Sequence, residues 1–366
     1  MNTKQELYEK MVALVPVKAD EVDFKKRLKK VLNDYQALVA ELNEQDRPDE
    51  WDKLIGRLKQ LCAGIIRAVD SEYRGMRHSA YTSIKNQLDG RRTDSSQIEG
   101  LAYTEIIRSV KIGEVFYRMR KVDIEERRKL SIDGMFHIPL DKRGLVTTQR
   151  YSVPGYPCLY LAHTIYGCWE EMGRPDFGTV MVSRFKSKEK FRVLDLRIPS
   201  KEAWSENMKG CMQFFPLVIA SMMQTQSGKD AYKPEYTIPQ LLTEWVISHN
   251  NDKRKRPDHM EIMGIVYTSA QKNDDFHYPE DCYDNYAIPV LQPMTGSKYC
   301  PRLKDMFELC KPSYFDLEVL KQGEIYDGGE YGFNVDNIQA ENMRASRFGQ
   351  MEEYLKKYDP SSLEEK

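Results

Sequence analysis

Apolar residues recur at intervals of three and four through the N-terminal region, then give way to short apolar runs bounded by turns. Phe24, Leu28, Val31, Leu32, Tyr35, Leu38, Val39 and Leu42 form one stripe. Trp51, Leu54, Ile55, Leu58, Leu61, Cys62, Ile65, Ile66 and Val69 form a second. Both are wide helical faces. Residues 43–49 separate them, with Pro48 and Asp49 supplying stop and restart signals. A third helix is predicted from Ser71 to Leu88, and residues 90–96 read as a loop and a boundary. The pattern predicts an all-α domain over 1–105 whose faces pack on each other, on the rest of the chain, or on a partner.

Beyond residue 110 the texture becomes that of strands between helices. Gly178 to Phe185 alternates at period two, and Phe191 to Leu196 is a strand closed by Pro199. Cys158 to Ala162 is short, apolar and turn-bounded, which predicts a buried strand. A helix follows from Thr164, a good N-cap, to Met172. Cys211 to Met223 reads as an apolar helix and Ile338 to Lys357 as an amphipathic one, with a frayed end after it. The expected fold class is α+β: a helical domain over 1–105, a mixed domain over 106–300, and a C-terminal extension over 301–366.

Composition narrows the function. With 366 residues, 41% apolar and 30% charged, the chain can bury a substantial core and is longer than a typical single domain. It has no apolar run of membrane-spanning length and no secretory h-region at its start, so the expected location is the cytoplasm. Seven cysteines without a CxxC pair predict reduced thiols rather than disulfides or zinc, and no His-x-Glu motif suggests a metal. A net charge of −1 gives no bulk attraction for nucleic acid, and the basic run Lys253 to Arg256 reads as a solvated loop before Pro257. No GxGxxG or Walker sequence marks a nucleotide site.

Four segments, in order, carry a more specific signal. They are Glu114 to Arg120, with a Tyr117-Arg118 pair; Arg150 to Ala162, followed by Glu171; Tyr236 to Trp245; and Gly264 to Ser269. Together, over roughly 110–295, they resemble the RES domain, a family of NAD-degrading enzymes named for Arg, Glu and Ser. The resemblance implies an ADP-ribosyltransferase-like fold and cleavage of the nicotinamide N-glycosidic bond, with water or inorganic phosphate as acceptor. NAD would be the substrate, with no separate cofactor and no metal. Better-known members are short toxins encoded with an antitoxin, so an antitoxin, or a homo-oligomer formed through the helical region, is the implied partner. Here residues 1–105 precede the module, the Arg-Trp/Phe-Asn triplet reads Arg150-Tyr151-Ser152, and Pro-Ser reads Pro239-Gln240.

Breaking this bond builds positive charge on the ribose, which a fixed carboxylate stabilises; the diphosphate needs cationic forks and the nicotinamide an aromatic face. By the resemblance, Glu171 is the carboxylate, with Glu170 beside it leaving the register open. Arg118 and Arg150 grip phosphate or ribose, and Arg120, on the same strand face as Arg118, competes with it. Tyr151 and Tyr160 are the aromatic candidates. Ser269 and Gln240 would hydrogen-bond nicotinamide or ribose, although either residue could equally cap a local turn or helix. Two alternatives use the same pocket: ADP-ribosylation of a protein, and a non-catalytic scaffold that binds a nucleotide.

Overall fold

The computed structural model describes residues 2–20, 22–93, 96–99, 101, 106–123, 125, 130–251, 261–272, 280–291, 297–314 and 346–357. The basic run 253–256 and positions 338–345 of the expected C-terminal helix lie outside them. Four helices open the chain: α1 (Lys4–Val12), α2 (Phe24–Ala40), α3 (Trp51–Tyr73) and α4 (Arg77–Leu88). Strands β1 (Gly90–Thr93), β2 (Ser96–Glu99), β3 (Ile107–Val110), β4 (Val115–Lys121) and β5 (Cys158–Ala162) follow. Next come α5 (Ile165–Glu171), β6 (Val180–Ser187), β7 (Phe191–Leu196), α6 (Lys201–Glu206), α7 (Met208–Ser221) and α8 (Thr237–Asn251). The remainder is β8 (Gly264–Thr268), β9 (Asp284–Pro289), α9 (Pro301–Met306), β10 (Phe307–Leu309), β11 (Ser313–Tyr314) and α10 (Arg347–Lys357). The fold is α+β with helices at its N-terminal end. Among the described residues no helix is long and apolar enough to cross a membrane.

The chain divides into two compact units, each assembled from separate segments. The first takes Met1–Ser109, Val146–Tyr156 and Arg192–Ala270; the second takes Val110–Leu145, Pro157–Phe191 and Gln271–Lys366. The N-terminal helices thus share a unit with α6, α7, α8 and the strands β7 and β8. Two expectations change. Residues 90–96 are not a plain loop, since β1 and β2 pair as an antiparallel hairpin from Gly90↔Glu99 to Thr93↔Ser96. Nor does β6 alternate: of its eight residues only Lys186 is exposed, because it is covered on both faces.

The first unit is built around α7, in which every residue from Gly210 to Ser221 is buried. Pro216 lies inside this helix and has no N–H to offer the carbonyl of Met212, four residues earlier. The Tyr35 hydroxyl from α2 donates to that oxygen at 2.7 Å, and Tyr35 is fully buried. A helical defect made by one residue is thereby closed by another far away in sequence. Beside the helices, β7 and β8 run parallel, Val193↔Gly264 to Leu196↔Tyr267, and β3 borders β7.

In the second unit the strand order is β10-β6-β4-β5-β9, with β11 also on β6. β4 and β6 pair antiparallel over seven residues, whereas β4 and β5 share one pair, Tyr117↔Ala162. One face of this sheet, with Tyr117, Met119, Ala162 and Val182, packs under α5 and α10. Thr164 caps α5 by accepting the Gly167 N–H at 2.9 Å, and its hydroxyl donates to the Cys282 carbonyl at 2.8 Å. A Cβ at Gly167 would stand 2.6 Å from that same carbonyl oxygen, so only glycine permits this approach. Gly173 and Arg174, both at positive φ, turn the chain away after the helix.

Replacing Tyr35 by Phe should leave the Met212 carbonyl unsatisfied in the core and cost about 1–3 kcal/mol. Urea unfolding checks it: the midpoint should fall with the m-value unchanged.

Candidate functional site

The sequence-predicted residues fall into two sets, one in each unit. Arg118, Tyr160 and Glu171 belong to the second unit and Arg150, Tyr151, Gln240 and Ser269 to the first.

In the second unit, Arg118 follows the single residue pair that joins β4 to β5. Its Nη1 donates to the backbone carbonyl of Tyr160 at 2.8 Å, while its buried Nε has no hydrogen-bond partner. Burial, and then the nearby Arg120, pull the guanidinium down to about 10, which still leaves it charged at neutral pH. Arg120 donates through Nη1 to the Gly134 carbonyl at 2.8 Å. Among the described residues no carboxylate lies within ion-pair distance of either arginine. Two neighbouring cations on one strand face, whose hydrogen bonds among the described residues go to carbonyls, are suited to hold an anion with geminal oxygens such as a diphosphate. Tyr160 alternates to the opposite strand face, the one carrying Ala162.

The helix α5 presents its two acids differently. Glu170 is buried, accepts the Tyr166 hydroxyl, and receives Arg174 Nε at 3.1 Å on both carboxylate oxygens. The Arg174 guanidinium also lies 5.4 Å over the Trp169 ring. Burial and the hydrogen bond to Glu170 hold the Tyr166 phenol well above its ordinary range. Glu171, one residue on, is exposed. Cys168 is buried, with its thiol directed to the Tyr117 carbonyl at 3.3 Å, which ties α5 to β4. The unit therefore carries Arg118, Tyr160 and Glu171 on β4, β5 and α5, but not on one side of the sheet: α5 packs on the face of Tyr117, Met119 and Ala162, whereas Arg118 and Arg120 alternate to the other face. Tyr166 and Arg174 escaped the sequence reading, although both sit four residues from Glu170, a spacing that pairs side chains on a helix.

The other set is knitted into the first unit. Arg150 is buried; its Nη1 donates to the carbonyls of Ser221 at 2.9 Å and Met223 at 3.0 Å, and its guanidinium lies 5.0 Å over Tyr236. It thus serves the C-terminal end of α7, where carbonyls lack helical partners and a cation is favoured. Gln240 Nε2 reaches Thr148 Oγ1, Gln149 O and Ser152 O at 3.0–3.2 Å, pinning the turn that carries Arg150. Tyr151 is fully buried with its ring 4.4 Å from that of Tyr267, and Ser269, two residues beyond Tyr267, is also fully buried.

The chain is similar to a known protein. Over 297 residues the chain is 32% identical to a Bacillus subtilis (strain 168) protein named "Putative toxin YopC". The alignment takes in 76% of this chain and 64% of that protein, so the chain spans just under two thirds of the curated relative's length. No family model matches the chain, and no solved structure matches it.

Arg150→Met, which keeps the stem but removes the donors, should lower stability by about 2 kcal/mol through the orphaned carbonyls of Ser221 and Met223. A guanidinium-chloride titration checks it, and a midpoint equal to that of the parent protein would contradict the capping role.

Proposed function

We propose that this chain is a toxin-like enzyme of RES type that consumes NAD, releasing nicotinamide and passing the ADP-ribose to water or inorganic phosphate. The observation that carries the reading is the pair Arg118 and Arg120 on β4, two guanidiniums without a carboxylate partner among the described residues. The name "Putative toxin YopC" of the Bacillus subtilis relative and the order of the four RES-like segments support it further. An ADP-ribosyltransferase-like fold belongs to the same proposal.

In this reading Arg118 takes the diphosphate of NAD, with Arg120 beside it. The C–N bond to the ribose breaks with its electron pair moving onto the nicotinamide ring nitrogen, which becomes neutral. The ribose carbon is left oxocarbenium-like, and the Glu171 carboxylate opposes that charge. A water or phosphate oxygen then bonds to the carbon, the water losing its proton. Glu170 is already committed to Arg174 and Tyr166, so its role is to hold α5 and the turn after it.

Nicotinamide release from NAD, with and without phosphate, is the decisive measurement. Glu171→Gln should lower kcat by about a hundredfold, equivalent to about 3 kcal/mol, with the fold intact. Glu170→Gln should act mainly on stability, and the reverse result would move the catalytic acid to Glu170. Arg118→Ala should raise KM for NAD by about tenfold or more, since charge-assisted bonds are lost. Label from NAD retained on protein would identify a transferase, and NAD bound but left intact would identify a nucleotide-binding protein.

A further inference from the structure

The helix α10 buries Phe348, Met351, Tyr354 and Leu355 in the core that also holds α5. From its flank, Glu352 Oε1 accepts the backbone N–H of Ile165, the first residue of α5, at 2.8 Å. At its last turn the Lys356 carbonyl accepts Arg184 Nη1 from β6 at 3.2 Å. The first four N–H groups of any α-helix lack intrahelical partners. In α5 the Gly167 N–H is taken by Thr164 and that of Ile165 by Glu352, a side chain 187 residues away in sequence. A helix of seven residues has little cooperativity of its own with which to hold its first turn.

We propose that Glu352 is a positioning residue for the NAD-cleaving site, a role that rests on the reading above: by holding Ile165 it fixes α5 and hence where Glu170 and Glu171 stand. Burial pushes its carboxyl up to about 7. The groups facing it are Lys356 and Glu353 on its own helix, His163 ahead of α5, Cys168 on α5, Cys282, and Tyr117 on β4. Among these groups the His163 imidazole is raised above its ordinary value by its hydrogen bond to Asp281. A carboxyl that changes charge against the Ile165 amide must move that amide's resonance, which reports the contact, while a loss in kcat without a change in KM, recovered by an uncharged acceptor, reports positioning.

The test uses the full chain with isoleucine-selective ¹⁵N labelling and the nicotinamide-release assay. The Ile165 amide should titrate with a midpoint near 7 in the parent protein and in His163→Gln, and should stop titrating in Glu352→Gln. Glu352→Leu, which removes the acceptor but keeps an apolar stem, should lower kcat about tenfold with KM unchanged. Glu352→Gln, which keeps an acceptor oxygen, should recover most of that loss, and the neighbouring Glu353→Gln should leave the rate alone. An Ile165 titration that survives in Glu352→Gln but vanishes in His163→Gln would overturn the proposal, as would parental kcat in Glu352→Leu. If the parent protein releases no nicotinamide, the NAD reading fails by itself, and the Ile165 titration still decides whether Glu352 holds the helix.

Discussion

The second unit depends on how closely α5 can lie against the turn that carries Cys282. Thr164 serves both sides of that contact, accepting from Gly167 and donating to the Cys282 carbonyl, and the missing Cβ of Gly167 leaves room for that carbonyl. With the helix seated, its rotation is set, and adjacent residues on an α-helix point about 100° apart. Glu170 must then face inward, where Tyr166 and Arg174 meet it, and Glu171 must face out. The division of labour between two chemically equal acids follows from a glycine four positions before the second of them.

A second constraint is electrostatic. Holding cations in a half-buried site without anions is unfavourable, and Arg118 registers that cost in a guanidinium pulled to about 10. Carbonyl oxygens from Tyr160 and Gly134 offset part of it. Sites that keep such an imbalance recover it when an anion arrives, because the donors are already oriented and need no reorganisation.

Much of the local structure was legible in the sequence. The run from Cys158 to Ala162 is β5 and that from Phe191 to Leu196 is β7, residue for residue, and Thr164 caps the helix it was expected to cap. Short apolar runs with clear punctuation leave one solution. Residues 90–96 misled because Gly, Thr, Asp and Ser mark hairpin turns as readily as open loops. The strand β6 misled because cover on both faces depends on what packs there, which no local pattern encodes. In the candidate site, the Tyr117-Arg118 pair and the Glu170–Glu171 pair were visible as residues, but the separate duties of Arg150 and Gln240 were not. Their partners, Ser221, Met223 and Thr148, are reached only by folding. Glu352 carried no signal at all, since its target is an amide in a distant helix.

The interleaved segments of the first unit bear on how the chain must be made. Its helices α2 and α3 leave the ribosome long before α7 and α8, the elements that share their core, because residues 110–145 and 157–191 belong to the other unit. Until Met212 has been synthesised, Tyr35 has no carbonyl to meet, and the apolar faces of α2 and α3 have only each other and the neighbouring α1 and α4 to cover them. Completion of this unit is therefore postponed until Ala270 is free of the exit tunnel. The nascent chain passes through a stage of exposed helical faces, the kind of surface that holdase chaperones bind.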